Sequence, residues 1–143
     1  MITAEILDRL RARCGDVFAT IATTHDLANV ADNPGTSPAA YVVPLREASA
    51  ANDRMTDVLQ RCESDIGVII VLDESASSSS SSTSASPDLD ALKAAVRDAL
   101  IGWQPASAEV AITHVSGELT QGRDGTVWWE EVFATAYLLG PAT

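Results

Sequence analysis

Long runs of strict alternation constrain this chain more than any other feature. The first begins at Val58: Val58, Gln60, Cys62, Ser64, Ile66, Val68, Ile70 and Leu72 share one face of an extended backbone, and from residue 66 the other face is apolar too. A period of two over that length specifies a strand, half solvated at its start and buried on both faces afterwards. The second run, residues 126–139, sets Val127, Trp129, Glu131, Phe133, Thr135, Tyr137 and Leu139 against Trp128, Glu130, Val132, Ala134, Ala136 and Leu138. A strand that outruns its own core reaches toward a neighbour, so these runs also suggest assembly.

The other elements are shorter. Residues 4–14 read as a helix with Thr3 as cap, Ile6, Leu7, Leu10 and Cys14 on one stripe, a Glu5–Arg9 pair four apart, and Gly15 as the stop. Residues 17–21 suit a short strand. A weak helical turn follows, capped by Thr24 or Asp26 and running through Leu27 and Val30, and Asn33, Pro34, Gly35 and Pro38 mark a turn region. Residues 40–45 read as a strand in which Pro44 weakens pairing, and residues 46–53, polar and alanine-rich, as a loop. Residues 75–86, mostly serine, carry too little apolar surface to offset ordering and are expected to form a flexible loop. Ser86 as cap, Pro87 in the first turn and Asp88 near the positive end open a second helix, with Leu89, Leu92, Val96, Ala99 and Leu100 as its buried stripe and Gly102 as its stop. Residues 109–115 are read as a strand with Val110, Ile112 and His114 on one side. Gly122, Arg123, Asp124 and Gly125 form the turn before the last strand. This order predicts an α+β fold: a mostly antiparallel sheet of four to five strands with two main helices on one face. One domain over residues 1–143 is expected, interrupted but not divided by the serine loop.

Charge narrows the function. Twenty acidic against 9 basic residues leave a net charge of −11, so the chain has little with which to grip phosphates, and direct binding of DNA or RNA is disfavoured. Glu5, Asp8 and Arg9 interrupt the amino terminus, which argues against a signal peptide, and the apolar run 66–72 is far too short to span a bilayer. No membrane role is expected, and the cytoplasm is the expected site of synthesis. Cys14 and Cys62 stand in no paired motif and read as small buried hydrophobes in a reducing compartment.

Chemistry finds little purchase. His25 and His114 are the only histidines, and no metal-ligand spacing, nucleophile elbow or phosphate loop accompanies them. Of the acidic pairs, Asp73 and Glu74 border the serine loop and Asp88 and Asp90 suit a helix start. Glu130 and Glu131, adjacent on a strand, point to opposite faces and cannot easily share a ligand or proton. No catalytic residue, cofactor or metal is therefore expected, and the chain is not read as an enzyme. The aromatic cluster Trp128, Trp129, Phe133 and Tyr137 is explained by core packing for the face that points inward. Trp128 and Trp129 occupy opposite faces, so unless both are covered one is left as an interface anchor.

The carboxy-terminal third carries a resemblance. Leu100-Ile101-Gly102-Trp103-Gln104-Pro105, a two-stranded stretch, and the run from Arg123 through Gly125, Trp128-Trp129-Glu130-Glu131 and Phe133 to Tyr137 are similar to the phage tail terminator proteins of siphophages, myophages and prophages. Tyr41-Val42-Val43-Pro44-Leu45 and the long first strand fit in order, whereas the serine run departs from the short charged loop of that family. The resemblance implies a structural virion protein at the head-proximal end of the tail, assembled in the host cytoplasm. It implies a homo-oligomer, a hexameric ring that stacks on the tail tube protein, ends tube polymerisation and presents the surface joining the head through a connector or neck protein. DNA would pass the acidic lumen without specific binding. Met55, Arg123, Asp124, Trp128, Trp129 and Glu130 are the candidate subunit or tube contacts. Two rivals are a neck or head-completion subunit of the same particle and a small acidic hydrolase or ligand-binding domain built on Trp128, Trp129, Glu130 and Glu131.

Overall fold

The computed structural model describes residues 1–24, 37–73, 88–120 and 126–140. In chain order the elements are α1 (Ile2–Cys14), β1 (Thr20–Thr23), β2 (Ala39–Ser49), β3 (Gln60–Asp73), α2 (Leu89–Leu100), β4 (Thr113–Thr120) and β5 (Thr126–Leu139). The strands form one sheet in the order β1-β2-β3-β5-β4. Among the described strands only β1 and β2 run parallel, and every other neighbouring pair is antiparallel. The expected α+β class and mostly antiparallel sheet are what the molecule has.

Both helices pack on one face of the sheet. Ile2, Ile6, Leu10 and Cys14 of α1 and Leu92, Val96, Ala99 and Leu100 of α2 meet Ala40, Val42, Ile66, Val68, Ile70, Leu72 and Phe133. Each large aliphatic side chain so buried contributes about 1.5–3 kcal/mol. The opposite face carries a smaller cluster of Ala39, Tyr41, Val43, Ile69, Val71 and Trp128. β3 thus has apolar side chains on both faces from Ile66 onward, as its composition requires. Cys14 and Cys62 are both free and buried, and burial raises the Cys14 thiol.

Element boundaries moved where backbone partners outbid local preference. α1 starts at Ile2, and Met1 occupies the cap position without a side-chain hydrogen bond, so Thr3 lies inside the helix rather than capping it. Gly15 follows α1 in right-handed geometry; its role is close approach, since a Cβ there would lie 2.6 Å from the Arg11 carbonyl oxygen. The amides of Val17 and Phe18 both turn back to Cys14 O, which delays β1 to Thr20. Asp88, not Ser86, caps α2, accepting from Ala91 N at 2.7 Å. Gly102 beyond α2 adopts φ +85°, the left-handed conformation that glycine tolerates best. Residues 109–112 do not pair as strand. Ile112 exchanges backbone hydrogen bonds with the helix exit instead, donating to Trp103 O and accepting from Gly102 N, both at 2.9 Å.

The largest correction lies in residues 46–49, whereas residues 50–53 are loop as expected. β2 continues through Ser49, paired from Arg46↔Asp65 to Ser49↔Cys62, after a bulge between Pro44 and Arg46. Proline has no N–H to give the ladder, and the bulge absorbs that defect so pairing can resume. The weak turn from Asp26 through Leu27 and Val30, the turn at Asn33, Pro34 and Gly35, the serine loop of residues 75–86, and the Gly122 to Gly125 turn lie outside the described residues.

Candidate functional site

One charged residue stands on the helix-facing side of β5, among Val127, Trp129 and Phe133. Glu131 is 0% exposed. It accepts from Arg97 Nε at 2.7 Å and Arg97 Nη2 at 2.8 Å, from His114 Nε2 at 2.9 Å and from Trp129 Nε1 at 2.6 Å. The carboxylate accepts only, so His114 carries its proton on Nε2 in this contact. Lys93, one turn before Arg97 on α2, stands 4.1 Å over the Trp129 ring. Burial pushes the Glu131 acid up, but the hydrogen bonds of Arg97 and Trp129 and the neighbouring Arg97 and His114 outweigh it and hold the acid below its ordinary range. The same contact raises Arg97.

The cluster ties α2, β4 and β5 together through one carboxylate. Nothing in it is poised for chemistry: the carboxylate is saturated and enclosed. Sequence reasoning placed Glu131 in the correct alternating set but missed its partners. The signal was present, since one carboxylate in an apolar stripe requires a donor, and α2 supplies Arg97 between Val96 and Ala99.

The other face of β5 behaves differently. Glu130 stands directly opposite Glu118 in the register. Burial, with the Glu118 charge adding to it, raises the Glu130 acid. The two adjacent glutamates are therefore separated by the sheet and pushed in opposite directions, as strand alternation requires. Trp128 is packed within the smaller cluster and only 8% exposed, and Trp129 packs against the main core. The expectation of one exposed tryptophan anchor is corrected, because Trp128 and Trp129 are each packed in a cluster on their own face of β5.

Met55 is 99% exposed and sits between β2 and β3. Its loop is built around Asn52, whose Nδ2 donates to Arg54 O (3.3 Å) and Asp57 O (3.1 Å), while its Oδ1 accepts from Arg54 N (3.4 Å) and Leu59 N (3.0 Å). Residues 46–49, read from sequence as loop, are therefore strand ladder, and the segment that follows them is an ordered tip. Other exposed apolar residues lie nearby: Leu45 on β2, Val58 in the segment just before β3, and Leu138 and Leu139 at the adjoining end of β5. Arg123 and Asp124 lie outside the described residues.

Two open grooves lie among the described residues. One, of about 380 Å³, is lined by Arg61, Glu63, Asp65, Val110, Thr113 and Thr135, among others. The second, of about 410 Å³, runs between α1 and the segment after α2 and is lined by Glu5, Asp8, Arg9, Trp103, Gln104 and Ala106. Neither takes in Trp128, Trp129, Glu130 or Glu131, the residues the hydrolase reading needs. Among the described residues no group of three or more His, Cys, Asp or Glu side chains could hold a metal ion. No described helix is long and apolar enough to cross a membrane.

Among the described residues the molecule is an α+β domain with two helices on one face of a mostly antiparallel sheet, a buried ionic cluster bracing an edge strand, and exposed apolar residues both at the β2–β3 hairpin end and on β4. The chain belongs to the phage tail terminator protein family, whose model matches residues 1–143, its full length. This is a family of structural virion proteins and not an enzyme class. Among solved structures the chain is similar to one from the virion of a native gene transfer agent particle, at 17% identity and a TM-score of 0.53, covering 94% of this chain and 92% of that one. At that identity the likeness establishes the fold alone. No curated protein sequence matches the chain.

Proposed function

We propose that this protein caps the tail tube as a hexameric ring at the head-proximal end of the tail, stops tube polymerisation and presents the surface that joins the head. The observation that carries the reading, beyond family membership, is the display of Met55, Val58, Leu138 and Leu139 on an ordered hairpin and the adjoining strand end. Exposed apolar residues gathered in one region mark a surface made to be covered. The virion context of the structural neighbour supports a particle role. The partners are further copies of the chain, the tail tube protein and a connector or neck protein. DNA would pass through the lumen without specific contacts.

The whole chain acts as one domain in this reading. Met55 and Glu130 contact partners directly, together with Arg123 and Asp124 of the segment that precedes β5 in the sequence, and Trp128 and Trp129 stiffen the surface from within. Head-to-tail contacts must close by rotation or else polymerise without limit, and a terminator must not polymerise. Six copies at −11 place −66 on a ring (6 × −11). The ring is therefore expected to be favoured by salt, which screens over about 8–10 Å near physiological strength.

The test is native mass spectrometry across a salt series, with purified tail tube protein supplied in a second arm. A ring that halts tube elongation is expected. A strict monomer at high concentration and high salt, unchanged by tube, would sink the proposal; head binding without arrest of tube growth would favour a neck subunit.

A further inference from the structure

The hairpin tip and the groove beside Trp103 carry complementary charges. The tip is a knob. Asn52 fixes its backbone, Met55 projects entirely into solvent, and Arg54 and Asp57 flank it, paired to one another at 3.2 Å with each side chain about half exposed. An ordered loop that leaves a methionine bare gains nothing within the subunit. Thioether side chains adapt to irregular pockets and pack well against aromatic rings.

The groove is a matching socket. Trp103 is partly buried against the core, with the Arg9 guanidinium 5.0 Å over its ring. Arg9 is held there by donation from Nε to Ala99 O at 2.9 Å. Glu5 and Asp8 line the same groove. Glu5 Oε1 accepts from Ser107 N at 3.0 Å, whereas Oε2 is buried and accepts no hydrogen bond, with the terminal ammonium 4.0 Å away. Burial pushes this acid up, but the hydrogen bonds from the Ser107 region hold it below its ordinary range, so it offers a full negative charge.

We propose that the Met55 knob of one copy seats in the Trp103 groove of the next copy, the thioether against the indole, Arg54 against Glu5 and Asp8, and Asp57 toward Arg9. The knob carries an ion pair, Arg54–Asp57, and the socket carries the acids Glu5 and Asp8 beside Arg9, so each member of the knob's pair meets an opposite charge on docking. Exposed ion pairs are worth little by themselves, and giving up the Arg54–Asp57 contact costs little. Knob and socket are different surfaces, so the contact is heterologous and can propagate around a ring. The inference rests on the ring reading and names the contact that closes it.

The test uses the full-length chain under conditions where the wild type forms rings. Met55→Asp and Arg54→Glu are each expected to reduce the ring fraction by about tenfold or more, as loss of a central interface anchor does. Both sites are exposed, so melting temperatures should stay at the wild-type value. Adding Asp8→Arg to Arg54→Glu should restore rings. The Met55→Cys/Gln104→Cys double variant should give a ladder of disulfide-linked multimers on oxidation, with neither single variant doing so. Wild-type ring levels in Met55→Asp and Arg54→Glu, or no ladder, would overturn this contact and leave the ring reading standing. Failure of the wild type to form rings even with tube protein would overturn both.

Discussion

Gly117 stands directly opposite Glu131 in the β4–β5 register, and a Cβ at that glycine would lie 2.5 Å from Glu131 Oε1. The missing side chain makes room for the buried carboxylate. A bulge between His114 and Ser116 inserts Val115, so that His114 and Gly117, three positions apart, reach the same face. β4 therefore supplies a donor and a space to the same carboxylate. An edge strand with largely exposed residues is held in place by that arrangement.

Gly117→Ala should destabilise the chain by about 1–3 kcal/mol, the usual cost of overpacking a filled site. The added methyl would also press on Trp129 Cζ2, 3.0 Å away. Urea unfolding measures this directly. Wild-type stability would mean that the Glu131 carboxylate swings aside at little cost.

Glu131→Gln keeps the shape and removes the charge, at an expected loss of about 2–4 kcal/mol at neutral pH. Arg97 is partly exposed and can rehydrate, which places the loss below that of a fully buried pair. Because the folded-state acid is depressed, its contribution is complete above the unfolded value of about 4.3 and fades as pH falls through the folded one. The difference between wild type and variant should shrink steadily in acid. A gap independent of pH would show that shape, not charge, carries the effect.

Glu130→Gln should have the opposite sign. The folded-state acid is raised, so ionisation costs stability as pH climbs through the unfolded and then the folded value, and the cost persists at neutral pH. The variant is expected to melt higher than wild type at pH 7, with the advantage vanishing in acid. Thermal scans at two pH values decide it, and a lower melting point at pH 7 would point to an unrecognised cation near Glu130.

Asn52→Ala should leave global stability within about 1 kcal/mol, since the tip is exposed and detached from the core. Limited proteolysis should nonetheless change sharply: the wild-type tip resists cleavage, and the variant is cut within residues 50–58. Equal resistance in both would mean the backbone turn holds without its asparagine.

How far the sequence alone reaches is clearest in β3 and β5. A period of two over a dozen residues leaves no other regular structure, so both strands, the helix stripes Ile6-Leu10-Cys14 and Leu92-Val96-Ala99, and the opposed directions of Glu130 and Glu131 were legible from composition and spacing. The continuation of β2 past Pro44 was not, because the polar residues Arg46 and Glu47 become strand only through their partners Asp65 and Ser64 on β3. The exit from α2 also escaped, since Ile112 pairs with Trp103 across a loop rather than extending β4. So did the buried cluster: Arg97, His114, Gly117 and Glu131 come together only when α2 lies on the sheet and a bulge in β4 turns two of them to one face. Periodicity is a property of one segment and can be read along the chain. Register, bulges and the pairing of a buried charge depend on which segments meet, and the tertiary structure alone decides that.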